Sequence, residues 1–299
     1  MNRKISVIIP IYNGEQYIEK LVDCLKNQTY ENFEVFFVED HSTDKSESVL
    51  RRYSALDNRF IILNPTEKMG TAVRGQEYAL PYCSGEYHFF MSQDDFIDFD
   101  LFEKCVKQMV ELDADVVIPN CVLYDGIKNE KLGIYPIADD YNSTINNRDA
   151  FLLSLDWKIH GFTMERMDLF RRIGLLAEYY NSEEYMKRIL FLKSSNIRFV
   201  DTNFYYRQDN PNAITKKKKY FHIDILVTDF LLYKYLREEK FDIQICKDRL
   251  RVINKEYLKW ILRGLKYNLY LKNNCYFLRT MAKLLTQIVG ENLVLLRYK

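Results

Sequence analysis

The chain has 299 residues, 47% of them apolar and 28% charged, with a formal net charge of +1. That composition can bury a sizeable core and excludes disorder, a collagen-like repeat and a small disulfide scaffold. The small total hides an asymmetry: residues 1–215 carry 24 basic and 34 acidic side chains, residues 216–246 carry 7 and 5, and residues 247–299 carry 12 and 3. Ile5 to Ile11, after Asn2-Arg3-Lys4, is too short an apolar run for a signal peptide or a spanning helix and reads as a buried strand. Tyr17, Ile18, Leu21, Val22 and Leu25 then recur at helical spacing over Glu15–Asn27. Strands are predicted over Phe33–Val38, Phe60–Leu63, Tyr87–Met91 and Val116–Leu123. Helices are predicted over Ser46–Leu56, Thr71–Leu80 and Leu101–Leu112. This alternation predicts an α/β fold with a mostly parallel central sheet and helices on both faces. The six cysteines form no C-x-x-C pair and read as reduced core thiols.

In such sheets ligands bind beyond the carboxyl ends of the strands. The residues there are Tyr12-Asn13-Gly14, then Glu39-Asp40-His41-Ser42-Thr43-Asp44, then Ser92-Gln93-Asp94-Asp95. Two adjacent acids at a buried strand end are costly unless a cation or hydrogen-bond donors offset them. Asp94 and Asp95 therefore fit either a divalent cation, Mg²⁺ or Mn²⁺, or a helix cap, with Asp95 or Asp98 capping Leu101–Leu112. Asp40 can accept a hydrogen bond from a base N–H or cap the next helix, which Ser42, Thr43 or Asp44 could also do. Tyr12 can stack on a base or simply pack.

S-V-I-I-P-I-Y-N-G, then F-E-V-F-F-V-E-D-H-S-T-D, then G-E-Y-H-F-F-M-S-Q-D-D resemble glycosyltransferase family 2. The resemblance covers residues 4–125 closely and continues weakly to Y-Y-R-Q-D-N-P-N-A-I-T, which ends at Thr215. It implies a GT-A, Rossmann-like fold and an inverting enzyme using a nucleotide sugar, a UDP-sugar first among them. Residues 1–215 would be the catalytic domain, with a nucleotide-binding half (1–95) and an acceptor half (96–215), and residues 216–299 a helical appendage. Pro10, Tyr12 and Asp40 would hold the nucleoside, and Gly70 and Arg74 would approach the ribose and phosphates. Asp94 and Asp95 would bind ribose and metal, and Arg207 would pair with the diphosphate or form a surface ion pair. Of the acids Glu183 and Glu184, opening a helix behind an N-cap Ser182, one would be the general base, with Glu184 preferred.

Three departures stand out. Ser92 replaces the first acid of the family's D-x-D element, and Asp209 stands where many relatives have His. His41 replaces a Gly, which implies a turn that needs no Gly-only conformation. His160 reads as a satisfied structural histidine, with a place lining an acceptor pocket the alternative, and the run Lys216–Lys219 reads as a solvated turn, with a loop over the diphosphate the alternative. Leu258, Ile261, Leu262, Leu265 and Leu269 form one predicted stripe, broken at Asn273-Asn274; Phe277, Met281, Leu284, Leu285 and Ile288 form another. Basic amphipathic helices suit an anionic membrane surface; packing on the catalytic domain or a second subunit is the alternative.

The expected function is sugar transfer to a glycan or lipid-linked acceptor in bacterial capsule or O-antigen synthesis, without nucleic acid. The expected location is the cytoplasm, with peripheral attachment to the inner face of the membrane an option. A catalytically silent nucleotide-sugar-binding subunit remains open through Ser92. A sugar nucleotidyltransferase fits less well, because its first loop would be basic and Tyr12-Asn13-Gly14-Glu15 is not.

Overall fold

A computed structural model of the chain describes residues 3–135, 140–141, 143–176, 178–211, 213, 220–266 and 275–296. Lys216–Lys219, Thr215, Leu269 and Asn273-Asn274 lie outside the described residues. Two compact units emerge, Met1–Leu176 with Met186–Pro211, and Ala177–Tyr185 with Asn212–Lys299.

The first unit opens as β1 (Ile5–Ile11), α1 (Glu15–Lys26), β2 (Phe33–Glu39), α2 (Ser46–Ser54), β3 (Phe60–Leu63), α3 (Ala72–Ala79) and β4 (Tyr87–Phe90). β5 (Phe96–Ile97), α4 (Leu101–Glu111), β6 (Val116–Asp125), β7 (Glu130–Tyr135), β8 (Thr144–Ile145) and α5 (Asn147–Leu155) follow. β9 (Met164–Arg166), α6 (Met167–Ile173), α7 (Ser182–Lys193) and β10 (Ile197–Arg207) close it, α7 beginning in the second unit. The strands make one sheet in the order β3-β2-β1-β4-β9-β6-β10-β5, with β7 on β6 and β8 on β10. Pairing is parallel from β3 to β4 and between β6 and β10. β9 is antiparallel to both neighbours, β4 and β6.

The period-2 rule separates the two faces. Val7, Ile9, Val35 and Phe37 share one cluster with Leu21, Leu25, Leu50 and Phe102 of the helices α1, α2 and α4. Ile8, Phe36 and Val38 point the other way, onto Ala79 of α3 and Met167 of α6. Each such side chain contributes about 1.5–3 kcal/mol on burial.

Neither Asp95 nor Asp98 caps α4. Asp100 occupies the N-cap without a side-chain capping bond, and Gln28 Oε1 accepts from Phe102 N at 3.1 Å instead. Asp98 is drawn to the neighbouring strand, where Asn203 N donates to its Oδ2 at 3.0 Å.

The second unit contains α8 (Asp224–Glu238), α9 (Ile243–Lys266) and α10 (Cys275–Leu296). Tyr257 Oη donates to Met281 O at 3.1 Å, and the Trp260 and Phe277 rings lie 6.1 Å apart, so α9 and α10 are neighbours. The first predicted stripe needs correction. The buried seam of α9 is Cys246, Leu250, Ile253, Tyr257 and Trp260, while Leu258 and Leu262 are 61% and 65% exposed. Leucines stand on both faces of this helix, so their spacing alone could not choose the inward one. On α10, Phe277, Met281, Leu284 and Ile288 are buried as expected, but Leu285 faces out. All six cysteines are free, and five are buried; Cys275 is exposed, an exception to the expected core thiols.

Candidate active site

The turn after β1 and the acid-rich turns after β2 and β4 meet at one edge of the sheet. Asn13 Oδ1 accepts from Thr43 N at 2.7 Å, and Ser42 Oγ accepts from Asn13 N at 3.0 Å. Gly14 N donates to Ser46 Oγ at 2.8 Å. Glu39 accepts from the N–H groups of both His41 and Ser42, at 3.0 and 2.8 Å. His41 has φ +58°, so the turn does take the left-handed conformation that favours glycine, contrary to the reading of its replacement. The two bonds to Glu39 hold a residue with a Cβ in that conformation. An open hollow of about 310 Å³ beside this turn is lined by Glu39, His41, Ser42, Glu47, Asn64 and Pro65, and shares no residue with Asp94 or Asp95.

Asp40 is nearly buried, and both its oxygens are engaged. Met69 N donates to Oδ1, and Gly70 N donates to Oδ2 at 2.8 Å. Asp40 thus fixes the loop leading to α3, whose N-cap Thr71 accepts from Arg74 N at 3.3 Å. Gly70, at φ +73°, supplies the left-handed turn, and Arg74 is exposed at the helix start. Pro10 is the close neighbour of Gly75 in α3; a Cβ at residue 75 would stand 3.2 Å from Pro10 Cβ. Tyr12 is 43% exposed, with Lys68 Nζ 3.7 Å from its ring centroid. Its ring is available for stacking, and a cation already uses one face.

The second cluster surrounds Asp94 and Asp95. β5 pairs antiparallel with β10, Phe96 opposite Tyr205, which brings Arg207 N within 3.0 Å of Asp95 Oδ1. Asn210 Nδ2 donates to Asp94 Oδ2 at 2.6 Å. Asp95 is 2% exposed, and its Oδ2 has no hydrogen-bond partner among the described residues. Burial first, and then the charge of Asp94, hold its carboxyl well above the usual carboxylate range. Of the predicted pair, only Asp94 therefore reaches half-exposed surface.

Arg207 is engaged by its own strand end. Its Nε and Nη2 donate to Asp209 Oδ1 and Oδ2, both at 2.9 Å, and its guanidinium lies 4.8 Å from the Tyr17 ring centroid. Gly126 leaves it room: a Cβ there would stand 2.4 Å from Arg207 Cζ. The ion-pair alternative thus describes Arg207 in this structure. Asp209 stays below the usual carboxylate range, because the bonds from Arg207 and from Gly126 N outweigh its burial.

The remaining candidates resolve differently. α7 starts at Ser182 itself, and the Ser182 hydroxyl is buried with no hydrogen-bond partner among the described residues, so it does not cap. Glu183 and Glu184 occupy the first turn, as expected. His160 is the satisfied structural histidine: Pro119 O lies 2.9 Å from Nε2, and Phe162 N donates to Nδ1 at 3.3 Å. Burial pushes it down to about 4.

The sequence reading missed Gln93, Asn210, Gly126 and Tyr17 at this site. It also missed a buried network in which Lys187 Nζ and His88 Nδ1 both reach Glu165 Oε1, at 2.5 and 2.6 Å. Asn210 and Gln93 left a signal, sitting in the quoted R-Q-D-N and S-Q-D-D runs. The others act through pairings remote in sequence.

The family model described as Glycosyl transferase family 2 matches residues 6–174. Glycosyltransferase GlyG of Streptococcus pneumoniae serotype 4 is 27% identical over 279 residues, covering 89% of this chain and 83% of GlyG. TuaG of Bacillus subtilis, whose description assigns it provisionally to teichuronic acid biosynthesis, is 26% identical over 250 residues, covering 71% of this chain and 97% of TuaG. S. aureus TarS 1-349 in complex with UDP-GlcNAc superimposes with a TM-score of 0.68 at 17% identity, covering 96% of this chain and 80% of that one. That likeness shows the GT-A fold.

Proposed function

This chain belongs to glycosyl transferase family 2, and from that premise we propose that it moves a sugar, with inversion, from a UDP-sugar to a hydroxyl of a glycan or lipid-linked acceptor. The product would be a bacterial surface polysaccharide, a reading supported by the similarity to TuaG. The nucleotide is suggested by the likeness to TarS, which holds UDP-GlcNAc. The observation that carries the reading is the junction of β4, β5 and β10, which gathers Asp94, Asp95, Arg207, Asp209 and Asn210 at a strand end.

The donor set fits a hard divalent cation. Asp94 and Asp209 outweigh Arg207 at this junction, and a cation would offset their repulsion of a diphosphate. Among the described residues no three His, Cys, Asp or Glu side chains form a metal cage. Mg²⁺ and Mn²⁺ need none when one or two carboxylates share them with substrate phosphates and water. Asp94 would hold the ion from its half-exposed position, and the unpartnered Oδ2 of Asp95 lies behind it in sequence and in burial. When bound, the ion stabilises charge developing on the leaving diphosphate.

Tyr12 would stack on the base, with Pro10 and the Asp40-held Met69-Gly70 loop framing the nucleoside and Arg74 facing the phosphates. Arg207 would reach the diphosphate only by sharing its guanidinium between that group and Asp209. In the transfer step the acceptor oxygen bonds to the sugar anomeric carbon as that carbon's bond to the diphosphate breaks. Glu184, or its neighbour Glu183, takes the hydroxyl proton. Release of UDP from a panel of UDP-sugars, with Mn²⁺ and with EDTA, tests the reading, and Mn²⁺-dependent release is expected. Donor binding with no UDP released would instead favour the silent subunit that Ser92 suggests.

For the second unit we propose contact with anionic lipid at the cytoplasmic face. The exposed side of α9 interleaves Val252, Leu258 and Leu262 with Arg251, Lys255, Lys259 and Lys266. Lysine and arginine stems can lie along lipid while their charges meet headgroups, whereas a second copy of so basic a face would repel the first. No helix among the described residues is long and apolar enough to cross a membrane.

A further inference from the structure

β1 and β4 run as parallel neighbours from Ile5 opposite Tyr87 to Ile8 opposite Phe90. Met91 N still reaches Ile8 O at 3.4 Å, and there the ladder ends. One side chain carries the pairing further. Tyr12 N donates to Gln93 Oε1 at 2.8 Å, and Gln93 Nε2 donates to Tyr12 O at 3.0 Å. A carboxamide offers an acceptor and a donor side by side, as a peptide group does, so it can stand in for a missing strand residue. Gly14 makes room for that amide: a Cβ there would stand 2.4 Å from Gln93 Oε1. With φ −113°, Gly14 has a backbone open to any residue, so the position needs space and not conformational freedom.

We infer that Gln93 is a positioning residue that sets the spacing between Tyr12 and Asp94, so that one donor molecule meets both. The inference rests on the proposed reading of Tyr12 as a nucleoside contact and Asp94 as a diphosphate-metal contact. Gln93 directly precedes Asp94, so tying its amide to the Tyr12 backbone ties the two turns together. Glu could not replace it, because a carboxylate would turn an acceptor toward Tyr12 O. Asn is one methylene shorter and would have to move the turn to span the same gap.

Calorimetric titration of the full chain with UDP plus Mn²⁺, and separately with uridine, tests this. Gln93→Ala is expected to weaken UDP–Mn²⁺ binding about ten-fold, the scale of two neutral hydrogen bonds. Gln93→Glu should weaken it more. Uridine, which meets only one anchor, should lose less than about two-fold, a split that general destabilisation would not produce. Gly14→Ala, which displaces the amide while leaving it in the chain, should reproduce the loss. It should add nothing in a Gln93→Ala background, where the atom it strikes is gone. Unchanged UDP–Mn²⁺ affinity in Gln93→Ala and Gly14→Ala, or an equal loss for uridine, overturns the inference. Failure of the unsubstituted chain to bind UDP overturns the donor reading and this inference with it.

Discussion

Two acid-rich turns at the same sheet edge are built differently. After β2, Glu39 and Asp40 are nearly buried, and their oxygens are taken up by the N–H groups of His41, Ser42, Met69 and Gly70. After β4, Asp94 and Asp95 lie side by side, Asp95 Oδ2 has no hydrogen-bond partner among the described residues, and a third acid, Asp209, stands nearby on Arg207. Backbone donors already occupy the oxygens of the first turn, which makes it a scaffold. The second leaves half-exposed Asp94 with one side-chain amide donor, from Asn210, which is where a cation arriving with a diphosphate would gain most. An acid at a strand end is thus informative only once its hydrogen-bond partners are known.

Substitution can break or sharpen that contrast. The largest effect is expected at Asp94. Asp94→Asn should lower UDP release from donor by about a hundred-fold or more, with far-ultraviolet circular dichroism unchanged. Retention of Mn²⁺-dependent activity would remove the metal role from that carboxylate. Asp40→Ala should weaken UDP binding about ten-fold with little change in kcat, because two backbone N–H groups lose their acceptor. A kcat collapse at unchanged affinity would move Asp40 into the chemistry. Asp95→Asn should be mild, within about ten-fold of the parent in Mn²⁺-supported turnover, since burial already favours the neutral carboxyl and Asn keeps the acceptor for Arg207 N. A loss matching Asp94→Asn would show that Asp95 works ionised.

The smallest effect concerns acid stability. Burial pushes His160 down to about 4, from 6.5. The unfolded chain therefore takes up the proton first as pH falls. The stability from neutral, buried His160 is complete above about 6.5 and declines toward about 4. Urea unfolding at pH 7 and pH 5 should show a smaller stability difference for His160→Gln than for the parent, and equal differences would exclude His160 as a source.

The half from β1 to β4 was legible because parallel strands buried on both faces read as continuous apolar runs, and α1 shows a clean helical period. The identity of the strand-end residues followed from the same logic. What lay hidden depends on contacts remote in sequence. β9 is three residues long and sits between β4 and β6 against the parallel trend. The burial of Asp95 comes from β10, and the satisfaction of Asp40 comes from a loop after β3. The strained His41 turn was misread because the compensating acceptor, Glu39, is visible only in three dimensions. On α9 the inward face was misassigned because apolar residues line both sides.

The late position of β10 also shapes how the chain emerges during synthesis. β6, Asp95 and Asp98 all wait for a strand that ends at Arg207. Until then the long, Val-rich β6 presents an unpaired backbone edge, a template for mispairing with another nascent chain. A ribosome-bound intermediate ending before Ile197 should engage holdase chaperones, and one extending well past Arg207 should release them. The strand that completes the proposed donor site would then also close that edge.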